Sequence, residues 1–207
     1  MSGIDWPLTI GVVKDLFVAG AAVTTGVVAV VGLKRWKAEI RGKADFETAR
    51  ELARATYKLR DEIAQCRSAF VRAQEFPEDY LASSKRTPEQ EANGWAHVYK
   101  HRWAPVWEAI QGFDSRALEA ESLWGSNVRK LTDELRACAR ELNVAIEATI
   151  DDKGYGGASF ATDAAFAKAM RSTISAVGSD LSNPLTKKVL DCVAAIESSL
   201  RPHLSRR

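Results

Sequence analysis

SRALEAESLWGSNVRKLTDELRACARELNVAIEATI, residues 115–150, decides the fold class. Trp124, Val128, Leu131, Leu135, Cys138, Leu142, Ala145 and Thr149 recur in it at alternating steps of four and three. That 3.5-residue period is the seam of a helix lying nearly parallel to its neighbours. The pattern predicts a helix from Ser115 to Ile150, with Asp114 as its cap. Upstream, Ala49, Leu52, Thr56, Leu59, Ile63, Cys66 and Phe70 keep the same register. Between them Arg50, Glu51, Arg54, Lys58, Arg60, Asp61 and Glu62 mix signs, as on a solvated face, so a helix is expected over about 44–72.

Phe76-Pro77 and the polar stretch Ser83–Arg86 read as a loop. Thr87-Pro88-Glu89-Gln90 then has the form of a capping box, with Thr at N-cap, Pro at the first helical position and Gln at N3. The helix it opens carries Ala92, Trp95, Tyr99, Trp103, Val106, Ile110 and Phe113. Pro105 removes a backbone donor inside it, which predicts a kink near Trp103 or two helices end to end. Residues 151–159, DDKGYGGAS, read as a turn-rich loop. Two shorter helices follow, one with Phe166, Met170, Ile174 and Val177, the other opened by Asn183-Pro184 and carrying Leu185, Val189, Val193, Ile196 and Leu200. No β-type alternation occurs in residues 44–207, so the expected domain is an all-α antiparallel bundle of four to five helices.

The chain has 207 residues, a formal charge of +2 and three cysteines, which excludes collagen-like, low-complexity and disulfide-framework classes. Charge is unevenly placed. Residues 1–33 carry −1, residues 34–43 carry +4 and residues 44–207 carry −1. A near-neutral domain lacks the broad positive field of a nucleic-acid binder, so no nucleic-acid partner is expected.

LFVAGAAVTTGVVAVVGL, residues 16–33, holds no charge, and neither Pro, Asn nor Gln. Eighteen such residues predict one transmembrane helix, preceded by a short N-terminus. Trp6 and Trp36 bracket the run as interface anchors, and Lys34, Arg35, Lys37, Arg41 and Lys43 form a basic joint over residues 34–43. The positive charge follows the span, which predicts a bacterial inner-membrane protein with its N-terminus outside and residues 44–207 in the cytoplasm. An anionic inner leaflet would be a partner of the joint. Gly20/Thr24 and Ala22/Gly26 give small-residue spacing.

KRWKAEIRGKADFETARELARATYKLRDEI, residues 34–63, together with Leu200-Arg201-Pro202-His203-Leu204, resembles a bacterial family of single-span proteins. The shared features are a basic Trp-containing joint, a Gly-Lys step and a Phe-Glu-x-Ala-Arg helix. The resemblance implies a membrane-anchored cytoplasmic helical domain and transfers no functional residue.

Few residues point to chemistry. His97 and His101 are four apart, the spacing of two metal ligands on one helix face, but no HExxH accompanies them. Cys66, Cys138 and Cys192 fall at apolar helical positions outside any CxxC pair, and Arg67 beside Cys66 is the one electropositive neighbour. Gly154-Tyr155-Gly156-Gly157 lacks phosphate-loop spacing. No catalytic signature or cofactor motif is found. Trp95, Trp103, Trp107 and Trp124 concentrate aromatic surface in thirty residues, and Trp107 lies off the helical seam, which suggests a partner patch. The expected function is a membrane-anchored interaction or scaffold module with a protein partner or self-association. The alternative is a tethered sensor or effector of stress or phage-defence type, with Pro105 as its pivot; a hydrolase or metal enzyme ranks last.

Overall fold

The computed structural model describes residues 6–82, 85–176 and 180–205, with the side chains of residues 6–19, 21–23, 26 and 27 outside that description. The described chain is helical without a strand. Its helices are α1 (Trp6–Cys66), α2 (Glu78–Ala82), α3 (Pro88–Trp124), α4 (Ser126–Gly154), α5 (Ala158–Thr162), α6 (Ala164–Ile174) and α7 (Pro184–Leu204). Two compact units divide the chain, Met1–Phe46 and Glu47–Arg207.

In the first unit, Lys34 to Lys43 are exposed on α1, and Lys43 pairs with Glu39 at 3.0 Å. The expected transmembrane helix, its single-pass topology and the inner-membrane localisation are corrected here. Among the described residues no helix is long and apolar enough to cross a membrane. The apolar stretch whose side chains are described without interruption is Val28–Leu33. Half of the run that carried the expectation, with Ala22 and Gly26 in it, lies outside the described side chains, as does Trp6. Within reach, the Thr24 hydroxyl donates to the Gly20 carbonyl at 2.8 Å.

The second unit is built on the expected seams. Leu52, Thr56, Leu59, Ile63 and Cys66 of α1, Leu135, Cys138 and Leu142 of α4, and Val189, Val193 and Ile196 of α7 are all buried in one core with Val106 and Phe113 of α3. Each fully buried Leu, Ile or Phe contributes about 2–3 kcal/mol by leaving water. Thr56 fits the seam because its hydroxyl donates to the Leu52 carbonyl at 2.8 Å. Helices α3 and α4 form an antiparallel hairpin, as the pairs Glu121–Arg129 and Asp114–Arg136 show. The Glu141–Lys188 pair joins α4 to α7.

Several boundaries differ from the sequence reading. The break between α3 and α4 falls at Gly125, not Asp114, because φ +83° with ψ −174° suits only glycine. Asp114 sits inside α3, 3.0 Å from the Arg136 guanidinium. Pro105 does not divide α3; the carbonyl it deprives of a partner belongs to His101, on an exposed face open to water. Helix α1 ends at Cys66 rather than near residue 72, and α4 runs on to Gly154. Among the described residues seven helices therefore replace the expected four to five. Val177 and residues 83 and 84 lie outside the described residues. The caps at Thr87 and Asn183 form as expected: Thr87 accepts from the Gln90 amide at 3.2 Å, and Asn183 accepts from that of Thr186 at 3.1 Å.

The α1 terminus is held by a buried arginine. Arg67 is 2% exposed, and among the described residues no carboxylate pairs with it. Its guanidinium donates to the Thr173 carbonyl at 2.7 Å, the Ser172 carbonyl at 3.3 Å, Asn183 Oδ1 at 2.7 Å and Thr186 Oγ1 at 3.0 Å. Two of these are orphan carbonyls at the C-terminus of α6, and the others belong to the N-terminal cap of α7. The Ala176 amide returns a bond to the Arg67 carbonyl at 3.0 Å. Burial lowers the Arg67 pKa from its ordinary value. Replacing Arg67 with Met strands those acceptors, so urea unfolding should register a loss of about 3 kcal/mol. Arg67→Lys should recover less than half of it, because one ammonium cannot span all four oxygens. A change near zero in Arg67→Met would refute this role.

Candidate functional site

The four tryptophans divide into three environments. Trp95 lies in an aromatic cluster that closes residues 73–82 onto α3. Its ring meets Phe76 edge-on at 5.3 Å and Tyr99 at 5.9 Å, and Lys153 Nζ sits 4.7 Å from its centroid. Tyr80 stacks on Phe76 at 4.3 Å and donates to Glu91 at 3.0 Å. Gly94 makes this closure possible, since a Cβ there would lie 2.2 Å from the Tyr80 ring. Trp124, at the end of α3, stacks on His203 at 4.0 Å. Both tryptophans are spent on internal packing.

Trp103 and Trp107 come together in a groove of about 400 Å³ between α3 and α4. Trp103, Trp107 and Ile110 supply one wall; Arg136, Arg140 and Val144 supply the other. Trp107 is 54% exposed and Val144 57% exposed, large for side chains of that kind. Arg136 is neutralised by Asp114 at 3.0 Å and Asp133 at 3.3 Å. Arg140 forms no ion pair among the described residues. Asn143, also at the groove, donates to Glu147 at 2.7 Å. The groove thus has an aromatic wall, and its two arginines stand against the carboxylates of Asp114 and Asp133. Burial raises the Asp114 pKa, while Arg136 works against that rise.

The segment after α1 forms a second concave region, of about 420 Å³, which includes Gln65, Glu75, His101, Arg102 and Pro105. Arg102 clamps it. Its guanidinium donates to both Glu75 oxygens at 2.6 and 2.9 Å, to the Ser68 carbonyl at 2.7 Å and to the Phe70 carbonyl at 2.8 Å. The Arg102 guanidinium holds the Glu75 carboxyl below its usual range. Cys66 borders this region, but burial pushes its thiol up to about 12, so it is not a thiolate near neutrality. Arg67, the expected electropositive neighbour, is committed to α6 and α7. Burial also pushes Cys138 up to about 12 and raises Cys192.

His97 and His101 are exposed with ring centroids 4.4 Å apart, and His101 Nδ1 lies 2.8 Å from the His97 carbonyl. Among the described residues no group of three or more His, Cys, Asp or Glu side chains is arranged to hold a metal, so the pair has no third ligand. Asp152, in the turn-rich stretch, is buried and accepts from the Phe160 amide at 2.8 Å, which fixes α5 against α4. The sequence reading named Arg67 only as a neighbour of Cys66 and missed Arg102, Arg140 and Val144. Their signal lies in the pairing of helices, not in local spacing.

No family model, curated protein or solved structure matches this chain.

The Arg102 clamp has a testable pH signature. A carboxyl with a lowered folded pKa stabilises above its unfolded pKa and loses that contribution as pH falls through the folded value. Glu75→Gln should therefore be less stable than wild type at pH 7, by chemical denaturation, and equally stable once the pH is well below the ordinary carboxylate range. A gap unchanged at acid pH would exclude an ionic clamp.

Proposed function

We propose that residues 47–207 form a helical protein-interaction module whose docking surface is the α3/α4 tryptophan groove. The observation that carries this reading is Trp107, more than half exposed on the wall of a concave apolar surface, next to Val144 in the same state. Exposed indole beside an aliphatic floor favours an apolar side chain from a partner, and tryptophan and arginine are the residues enriched where binding energy concentrates. The occupant is a segment of a partner protein that carries such a side chain.

The buried cysteines and the two-ligand histidine pair favour interaction over chemistry. Membrane anchorage is no part of this reading.

A photo-activatable residue at position 144 in the full-length chain tests it in native cells. One discrete adduct is expected, reduced at least about tenfold when Trp107 is replaced by Ala, as for loss of a hot-spot residue. A crosslinker at Lys168, exposed on α6, serves as control. Adducts indifferent to Trp107→Ala, or equal at both positions, would overturn the reading.

A further inference from the structure

Residues 28–44 of α1 are exposed at every position, so no described element covers this part of the helix. Two rows run along it side by side. Leu33, Trp36 and Ile40 recur at steps of three and four, and Lys34, Lys37 and Arg41 recur at the same steps one residue later. At about 100° per residue each row falls within about 60° of arc, and the rows lie about 100° apart. Trp36 is 60% exposed, Leu33 50% and Ile40 48%, which leaves an apolar row in water next to a cationic one.

The charge of this face is not spent within the described chain. Glu39 is the one carboxylate in residues 28–44. It lies on the far side of the helix from the cation row, where it pairs with Lys43 at 3.0 Å. Lys34, Lys37 and Arg41 form no ion pair among the described residues. The face therefore fits a surface that takes indole and aliphatic groups beside anions. Immediately before it, residues 28–33 carry no polar side chain on any side of the helix. A protein groove covers one face of a helix and would leave the other valines in water, whereas lipid accepts apolar groups on every side. Indole suits the headgroup boundary, and lysine and arginine stems lie along apolar surface while their heads reach phosphate.

We propose that residues 28–43 of α1 adsorb to an anionic phospholipid surface. Leu33, Trp36 and Ile40 enter the boundary between headgroups and acyl chains, and Lys34, Lys37 and Arg41 meet the lipid phosphates. The contact is with one leaflet and crosses no bilayer. It is a second binding surface, independent of the α3/α4 groove.

Vesicle co-sedimentation of the full-length chain tests this, with phosphatidylcholine alone set against an equal mixture of phosphatidylcholine and phosphatidylglycerol. Partitioning into the mixed vesicles should exceed that into phosphatidylcholine by at least about tenfold and fall with added salt. Combining Lys34→Gln, Lys37→Gln and Arg41→Gln should lower it about a hundredfold, since each charge near such a surface is worth about fivefold. Glutamine keeps the helix propensity of the residues it replaces, and circular dichroism confirms the fold. A control with Lys100→Gln, Lys130→Gln and Lys168→Gln, all exposed in the second unit, removes equal charge and should leave partitioning nearly unchanged. Trp36→Ala should lower it about tenfold, as for an apolar side chain returned to water.

Equal partitioning into the two kinds of vesicle, equal losses in the two triple variants, or indifference to Trp36→Ala would overturn the proposal. So would capture by poly-glutamate or duplex DNA without sedimentation on vesicles, which would make the cation row a site for soluble polyanions. The position-144 adduct reads the groove separately, and its dependence on Trp107 is expected whether or not the chain binds lipid.

Discussion

The charge of Arg67 is the constraint around which the second unit is arranged. A guanidinium 2% exposed and, among the described residues, without a carboxylate partner has to be met by neutral oxygens, and the chain supplies them from two helix ends. The α6 carbonyls are left over by helix geometry, and the Asn183 side chain already caps α7. One side chain therefore fixes where α1 stops and where α6 ends and α7 begins. With that corner set, Arg102 gathers the following segment through the Ser68 and Phe70 carbonyls and both oxygens of Glu75. The aromatic cluster around Trp95 then closes residues 73–82 against α3. The α3/α4 surface with Trp107 and Val144 is left without such a cover.

The periodic part of this arrangement was legible in the sequence. A 3.5-residue apolar repeat survives whatever the helix packs against, so the seams of α1, α4 and α7 could be read directly. Caps were legible for a related reason: Thr87 and Asn183 bond within three residues of themselves, and local chemistry determines the outcome. Breaks were not. Gly125 and Pro105 are both helix breakers in isolation, yet only Gly125 interrupts, because it takes a left-handed φ while Pro105 faces water. Asp114 looked like a cap because its real partner, Arg136, becomes a neighbour only when α3 folds back on α4.

The candidate site was half legible. Counting tryptophans found the aromatic excess, but could not tell Trp95 and Trp124, which stack on Phe76 and His203, from Trp103 and Trp107. Periodicity did separate Trp107 from the α3 seam, and that one displacement marks the groove. Leu118 carries the same signal at the same helical angle. The cysteines and the histidine pair attracted notice for their chemistry. The thiols are buried, and among the described residues no third ligand joins the histidine pair. The N-terminal run reads in sequence as a span, but among the described residues no helix is long and apolar enough to cross a membrane.

The second unit sets one buried core against the exposed side chains of Trp107, Leu118 and Val144 on α3 and α4, which the account assigns to an interaction surface. Covalent footprinting of Trp107 and Leu118, compared between dilute purified chain and intact cells, tests that claim most directly. The account predicts that both side chains are labelled readily in dilute solution and protected together in cells, while exposed Phe70 is labelled alike in each. Equal labelling of Trp107 in the two conditions would contradict it.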